Sequence, residues 1–478
     1  LVSGDDAQFS AFATVDIDGT IFAYSSQIGT AGVQHFTLAS NGILNLQTDL
    51  STAAIPNRSD IVDFEIVNVG GNKILLAASQ GYNAIQSYLL GPTGVPSEVT
   101  TLGANQVVPI QTPTALVSCE IDGKSFVILA ASGSSSLTVF QVLPDGGLEP
   151  TDNVIDNQET RFKNVTAMEV TDVNGQSYVI AAGSDDGISI FQLLPNGNLV
   201  HLDTVEDQNN TTLQNVSALE ISLINNVLHI FASSENETGI THFTFDPDVG
   251  GQTLVGTNND ETLSGGAHRD VLEGGAGNDT IFGNAGDDIL VDGSGEDYLS
   301  GGSGSDVFVL TADNEVDTIT GYNAAQDRLD LSGYFMLYDA SQLQVSSMSW
   351  GAIITFQNET IRIYSYDGQP LTSADFPTTS VLSLDRPPNG FEYIPMTVEG
   401  TSAGEALVGG LGNDLLLGYG GDDTLFGDEG GDTLNGGTGR DTASYFDTDE
   451  GISANLGSGI GTLGAKGDVY ISIENLLG

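Results

Sequence analysis

Cysteine is almost absent: Cys119 stands alone, so no disulfide can form within the chain. Basic residues are nearly as scarce. Eleven Lys and Arg face 64 Asp and Glu, for a formal net charge of −53. Phosphate binding needs a basic surface, so nucleic acid is excluded as a partner, and anionic membrane surfaces are disfavoured. No apolar run reaches the length of a membrane span. The five histidines include no H-E-x-x-H pair, which removes the zinc-protease reading. No apolar helical segment suits a pore-former. The opening LVSGDDAQFS has neither the charged nor the apolar region of a cleavable signal peptide. Both ends fall in mid-pattern, so we expect a piece of a longer protein. A large exported protein without disulfides needs other staples, and metal is the usual one.

Glycine is what the chain has in excess, 61 residues, and they cluster in the second half. The first half carries a different repeat of about fifty residues. Its clearest copies start at Thr114 (TALVSCEIDGKSFVILAASGSSSLTVFQVLPDGGLEP) and Val165 (VTAMEVTDVNGQSYVIAAGSDDGISIFQLLPNGNLV). Others start at Ser10, Ile61 and Val216. Each unit reads as four short strands: an alternating segment, a turn such as EIDG or DVNG, an apolar β-branched segment, a third strand, and a PNGN or PDGG hairpin. The fifth unit lacks a clear fourth strand. Four strands per unit without helical periodicity is the pattern of propeller blades.

These repeats resemble the lactonase-like β-propellers over residues 1–250. The resemblance implies either a five-bladed ring or a larger one with blades upstream. Asp16, Asp18, Asp122 and Asp172 sit in Asp-x-Asp-Gly-like turns. These are calcium-loop fragments, but also ordinary hairpin turns, since Asp and Asn tolerate left-handed backbone; the turn is the expected reading. His229, in the apolar NVLHIFAS, is expected to be buried structure. His35, His201, His229, His242, Arg58 and Arg161 repeat at no common blade position, so no catalytic constellation is visible.

The second half divides into blocks of nine. GTNNDETLS, GGAHRDVLE, GGAGNDTIF, GNAGDDILV, DGSGEDYLS and GGSGSDVFV run without a gap over residues 256–309. GTSAGEALV, GGLGNDLLL, GYGGDDTLF, GDEGGDTLN and GGTGRDTAS cover residues 400–444. The pattern is G-G-x-G-x-D-x-U-x, with U aliphatic. Glycine supplies positive φ and close approach between stacked turns. The three residues x-U-x form a short strand with U inward. A flexible acidic linker would need no such inward residue. Stacking would align the sixth-position carboxylates in files that repel without a counter-ion. The first array holds 11 acidic residues and one arginine, Arg269. Hard oxygen ligands without repeated Cys or His suit Ca²⁺, not Zn²⁺ or copper.

This nonapeptide is that of the RTX (repeats-in-toxin) family, a calcium-binding β-helix repeat. The resemblance covers about residues 252–478. It implies a right-handed parallel β-roll with two nonapeptides per coil and several Ca²⁺ between turns two repeats apart. The implied ligands are backbone carbonyls and Asp270, Asp279, Asp288, Asp297, Asp306, Asp414, Asp423, Asp432 and Asp441. Glu261 and Glu405 replace Asp at the array starts, and His268 replaces a turn glycine, so those turns depart from the pattern. DTITGYNAAQDRLDLSG resembles the segment that caps such rolls.

The expected chain is all-β throughout. A propeller spans 1–250, a first roll 251–309, a β-rich cap 310–380 and a linker 381–399. A second roll follows over 400–444, then a β-rich segment over 445–478. GTSAG, residues 400–404, mimics a nucleophile elbow at Ser402. The elbow needs strand–turn–helix, whereas this stretch lies in register as a nonapeptide. The family resemblance implies a bacterial protein leaving by type I secretion and folding in external calcium. The propeller would then bind an extracellular glycan, protein or matrix component. The rival reading is an extracellular hydrolase or lactonase acting at the propeller mouth.

Overall fold

The computed structural model describes residues 9–27, 33–49, 61–103, 108, 110–208, 211–334, 336–386, 397–402, 404–411, 415–429, 431–445, 452–456, 460–463 and 468–477. The chain forms two compact units, Leu1–Pro388 and Asn389–Gly478.

The first unit begins with five antiparallel sheets in strict sequence order. Four are four-stranded, beginning with Phe9–Ile17, Ile61–Val69, Pro113–Ile121 and Ala167–Val173. The fifth, Val216–Ile224, Val227–Ser234 and Thr241–Phe245, has three strands, as its sequence suggests. The first strands of consecutive sheets pack side by side, which makes these sheets propeller blades around an axis. Their second strands are the most apolar. Asn72–Ser79, Lys124–Ala131 and Gln176–Ala182 are buried almost throughout, because small residues such as Ala77, Ala130 and Ala181 fit between neighbouring blades. The Asp-Gly turns close hairpins: Asp16 Oδ1 accepts from Gly19 N at 2.8 Å, and Asp172 Oδ1 from Gly175 N at 3.0 Å. Asp18 and Asp122 take the left-handed conformation, with φ of 51° and 50°.

Parallel sheets follow. One contains Thr253–Val255, Val271–Glu273, Ile289–Val291, Val307–Val309 and Arg328–Asp330. The other contains Thr262–Ser264, Thr280–Ala285, Tyr298–Ser303 and Val316–Tyr322, extended by three strands between residues 344 and 365. Leu254 pairs with Leu272, Leu272 with Leu290 and Leu290 with Phe308. Each step is two nonapeptides, so alternate repeats build opposite walls of a β-roll. Leu272, Ile281, Leu290, Leu299 and Phe308 fill the space between the walls, and Leu263 is partly buried at its edge. Residues 316–330 keep both sheets going without the glycine spacing. The antiparallel strands Gln344–Met348, Gly351–Phe356 and Glu359–Ser365 then cover one sheet edge, which satisfies its open backbone groups.

The outer face of the first wall is also apolar. Val271, Ile289, Val291 and Val307 pack on Leu194 and Val200 of the fourth blade. Val381–Arg386, expected as the start of a linker, is instead packed. Val381, Leu382 and Leu384 are buried. Ile155 N donates to Asp385 O at 2.8 Å. The Arg386 guanidinium makes a two-pronged ion pair with Asp152 (2.8 and 3.0 Å) and also donates to Leu199 O at 2.7 Å. Apolar anchors and a paired arginine make this segment a strap between propeller and cap.

The second unit repeats the roll. Thr397–Glu399, Leu415–Leu417, Thr433–Asn435 and Val469–Ile471 form one wall. Ala406–Leu411, Thr424–Glu429, Thr442–Ser444 and Asn475–Leu477 form the other. Leu407, Leu416, Leu425, Leu434 and Ala443 are its core.

Candidate metal centre

Each turn between walls begins at the first position of its nonapeptide, usually glycine, and ends at the sixth-position carboxylate. Asp270, Asp279, Asp288, Asp297 and Asp306 are all buried, as are Asp423, Asp432 and Asp441 in the second unit. Asp414 lies outside the described residues. One oxygen of each side chain ties successive coils together. Asp288 Oδ1 accepts from Asp270 N at 2.8 Å, Asp306 Oδ1 from Asp288 N at 3.0 Å, and Asp441 Oδ1 from Asp423 N at 2.9 Å. The other oxygen, Oδ2, is buried without a hydrogen-bond partner in Asp279, Asp288, Asp297, Asp306, Asp423 and Asp441. Buried polar atoms are rarely left so, and here the omission repeats at one position of a repeat.

The glycines explain why. A Cβ on Gly283 would lie 2.3 Å from Asp288 Oδ2, and one on Gly301 2.1 Å from Asp306 Oδ2. The second unit matches: a Cβ on Gly436 would lie 2.5 Å from Asp441 Oδ2. The first-position glycine therefore keeps open a cradle of carbonyls around a bare carboxylate oxygen. An oxygen-lined cradle with an unpaired anionic oxygen fits a hard cation such as Ca²⁺. The turn of Asp270 differs. His268 and Gly266 do not take positive φ, and Gly266 N donates to Asp270 Oδ2 at 2.5 Å. That bond closes the cradle, as the His268 departure suggests. Glu261 at the first turn is likewise closed on Thr257 N at 3.0 Å.

The files extend beyond the glycine repeats. Asp297 N donates to Asp317 Oδ1 at 3.1 Å and Asp306 N to Asp327 Oδ1 at 3.1 Å. In the second unit Asp432 N donates to Asp468 Oδ1 at 2.9 Å and Asp441 N to Glu474 Oε2 at 2.8 Å. Sequence reasoning keyed to glycine misses these four. Their signal is half the motif: DTIT, DRLD and ENLL keep acid-x-U-x, and DVYI keeps it with Tyr470 as the inward residue.

Burial, then neighbouring carboxylates, pushes Asp288, Asp306 and Asp317 up to about 7 and Asp297 to about 6. The sign follows directly. An unfolded carboxylate titrates near 4, so between about pH 4 and 7 the metal-free coil holds protons that the unfolded chain has released. Metal-free stability is therefore greatest in acid and falls as pH rises through that window. A bound cation replaces those protons, so its affinity falls as pH drops. We expect calcium-stripped protein to keep its rolls to a higher urea concentration at pH 5 than at pH 8, where they are already open without the ion, with calcium's added stability larger at pH 8. Trp350, the only tryptophan, stacks on Tyr364 in the cap and reports the transition by fluorescence. Rolls equally open without calcium at both pH values would contradict the protonated files.

The propeller offers other chemistry. His229 is not buried: it lies half-exposed, face to face with His242, because its strand shows that side to solvent (Nδ1 to Nε2 2.8 Å). His35 is buried between Phe22 and Tyr24. Ser402 is exposed between two roll strands and begins no helix. First strands carry Asp63, Glu65 and Glu169, all raised by burial first; Asp63 raises Glu65 further, and Glu220, then Asp63, raise Glu169 further. A cleft of about 830 Å³ opens where blade loops meet, lined by Ser134, Asp156, Arg161, Lys163, Asp185 and Asp385 among others. Burial and Asp156 push Asp185 up to about 6.

The RTX calcium-binding nonapeptide repeat matches residues 255–290, 282–316, 399–434 and 408–443. Both units therefore carry RTX calcium-binding repeats, preceded in the first by a propeller. No curated protein matches the chain. Among solved structures, the AlgE6R3 subunit of the Azotobacter vinelandii mannuronan C5-epimerase is 27% identical. That match covers 29% of this chain and 85% of that one, with a TM-score of 0.22. An exo-β-1,3-galactanase from Phanerochaete chrysosporium is 7% identical over 46% of this chain and 55% of its own, at 0.32. A protein from Lactobacillus plantarum is 14% identical over 47% and 67%, at 0.33.

Proposed function

We propose that this chain is a secreted protein whose rolls fold around Ca²⁺ after export and whose propeller is an extracellular binding or adhesion module. The repeated Oδ2 atoms, buried beside glycine cradles in both units, carry the calcium part. The ligands would be Asp279, Asp288, Asp297 and Asp306, then Asp414, Asp423, Asp432 and Asp441, with turn carbonyls. Asp270, already closed on Gly266, would contribute least. The ion's chemistry is structural: it neutralises the files and joins coil to coil. A cytosol poor in calcium would leave the repeats unfolded for type I export, and external calcium of about millimolar would fold them. The ligand is proposed to be a glycan, protein or matrix component. The polar cleft of Asp156, Lys163 and Asp185 supports such a surface, since it offers charges of both signs and hydroxyl partners.

The acidic first strands favour one rival, a hydrolase using Asp63, Glu65 or Glu169 as a proton donor. Raised carboxyl groups are what acid catalysis at neutral pH requires. A panel of lactone, ester and glycoside substrates decides between them, run beside a glycan and matrix binding array. Binding without turnover is expected. Turnover abolished by Glu169→Gln and retained in Asp288→Asn would overturn the binding reading.

A further inference from the structure

Near the end of the first roll the repeat is broken in a way that changes the ligand set. Residues 292–300 begin with Asp292, where the turns of Asp288 and Asp306 begin with Gly283 and Gly301. That position abuts its own turn's sixth-position carboxylate, as the Gly301 to Asp306 geometry shows. Asp292 thus adds a carboxylate where other turns present only backbone. It is 1% exposed, and its Oδ1 accepts from Gly293 N at 2.6 Å and Thr311 N at 2.9 Å. One oxygen each from Asp292, Asp297 and Asp317 lies within 4.8 Å of the others.

Two atoms here lack partners. Asp297 Oδ2 is one. The other is the hydroxyl of Tyr334, a residue 3% exposed that enters from the cap. Burial first, then the charges of Asp292, Asp317, Glu359 and Asp313, push this hydroxyl well above the usual phenol range. Among the described residues no lysine or arginine makes an ion pair with Asp292, Asp297 or Asp317. Three buried carboxylates without a cation are costly, and the unpaired Tyr334 hydroxyl, which feels the charges of Asp292 and Asp317, would add a neutral oxygen ligand. Ligands that are all oxygen select a hard ion over zinc.

We propose that Asp292, Asp297 and Asp317, with the Tyr334 hydroxyl, form a three-carboxylate Ca²⁺ site that fastens the cap to the last coil. The inference rests on the calcium reading of the repeats but assigns this turn a different ligand set. Calcium affinity rises with the number of charged ligands. This site therefore fills before the repeat sites.

The test is equilibrium dialysis of the full chain, stripped with EGTA, against radioactive Ca²⁺. One ion per chain is expected at least tenfold tighter than the rest. Asp292→Asn loses that ion and keeps the weaker class. Asp292→Gly, which restores the repeat's own residue and so preserves the turn, does the same. Asp288→Asn is the counter-case: it thins the weak class and keeps the tight ion. A single affinity class in the wild type, or a tight ion surviving both Asp292 variants, overturns the site. A wild type that binds no calcium overturns the repeat reading as well, so the two failures are distinguishable.

Discussion

In excess EGTA at pH 7.5, the protein loses the strand signal of its rolls and the stacked environment of Trp350, and Ca²⁺ at about millimolar concentration restores both. Mg²⁺ at the same concentration does not, because it demands near-ideal octahedral geometry and gives up water reluctantly. Extracellular calcium modules bind with Kd of about 10⁻⁴ to 10⁻³ M. At tenfold excess each site contributes about 1.4 kcal/mol, provided the unfolded chain does not bind. Five such repeat sites, at Asp279, Asp288, Asp306, Asp423 and Asp441, contribute about 7 kcal/mol, within the range of a whole domain's stability of about 5–15 kcal/mol. Their loss leaves thin cores, each little more than one aliphatic residue per repeat, between files of carboxylates. The propeller has its own cores, such as those around Phe126 and Tyr178, and keeps its strand signal. Far-UV circular dichroism and Trp350 fluorescence in one titration separate the halves. A full strand signal in EGTA would mean that packing alone holds the rolls, and both the metal assignment and the export argument would fall.

Much of this architecture is legible in the sequence because the repeat forces it. A nine-residue period with one inward aliphatic leaves little freedom, and Leu272, Leu290 and Phe308 stack as their spacing requires. The blades are legible for a similar reason, since turn and strand alternate at a fixed interval. Harder to read is whatever the repeat does not enforce. Asp317 and Asp468 continue the files after the glycines stop, because once a coil exists the next strand can add to its edge by pairing alone. Their turns are longer, so the spacing that identifies a nonapeptide is gone. The docking face of the first roll was visible only in part. VLE, ILV and VFV carry an extra outward aliphatic that TLS, TIF and YLS lack, yet nothing local says that Leu194 and Val200 cover it. The strap at Arg386 is less legible still, for its partner Asp152 lies 234 residues away. The convergence of Asp292, Asp297 and Asp317 appears only when two coils and the cap are superimposed.

Gly304→Ala is expected to destabilise the calcium-loaded protein by about 3–5 kcal/mol, far more than one methyl group ordinarily costs. Two effects add. Gly304 has φ of 140°, a region essentially reserved for glycine, and a Cβ there would lie 1.8 Å from Gly286 O on the preceding coil. The neighbour is backbone, held by its own coil, and cannot swing aside as a side chain would. The coil must open, which also widens the cradle around Asp306. Gly321→Ala separates the two effects. Its φ is 75°, but no atom lies within 4 Å of the added Cβ. That variant carries only the left-handed penalty of about 1–2 kcal/mol. Urea denaturation in saturating Ca²⁺, followed through Trp350, measures both, with a calcium titration to register any lost ion. The difference between the two variants isolates the cost of forcing stacked turns apart. If Gly304→Ala were no worse than Gly321→Ala, the coils would not be stacked at backbone contact, and the glycines would serve conformation alone.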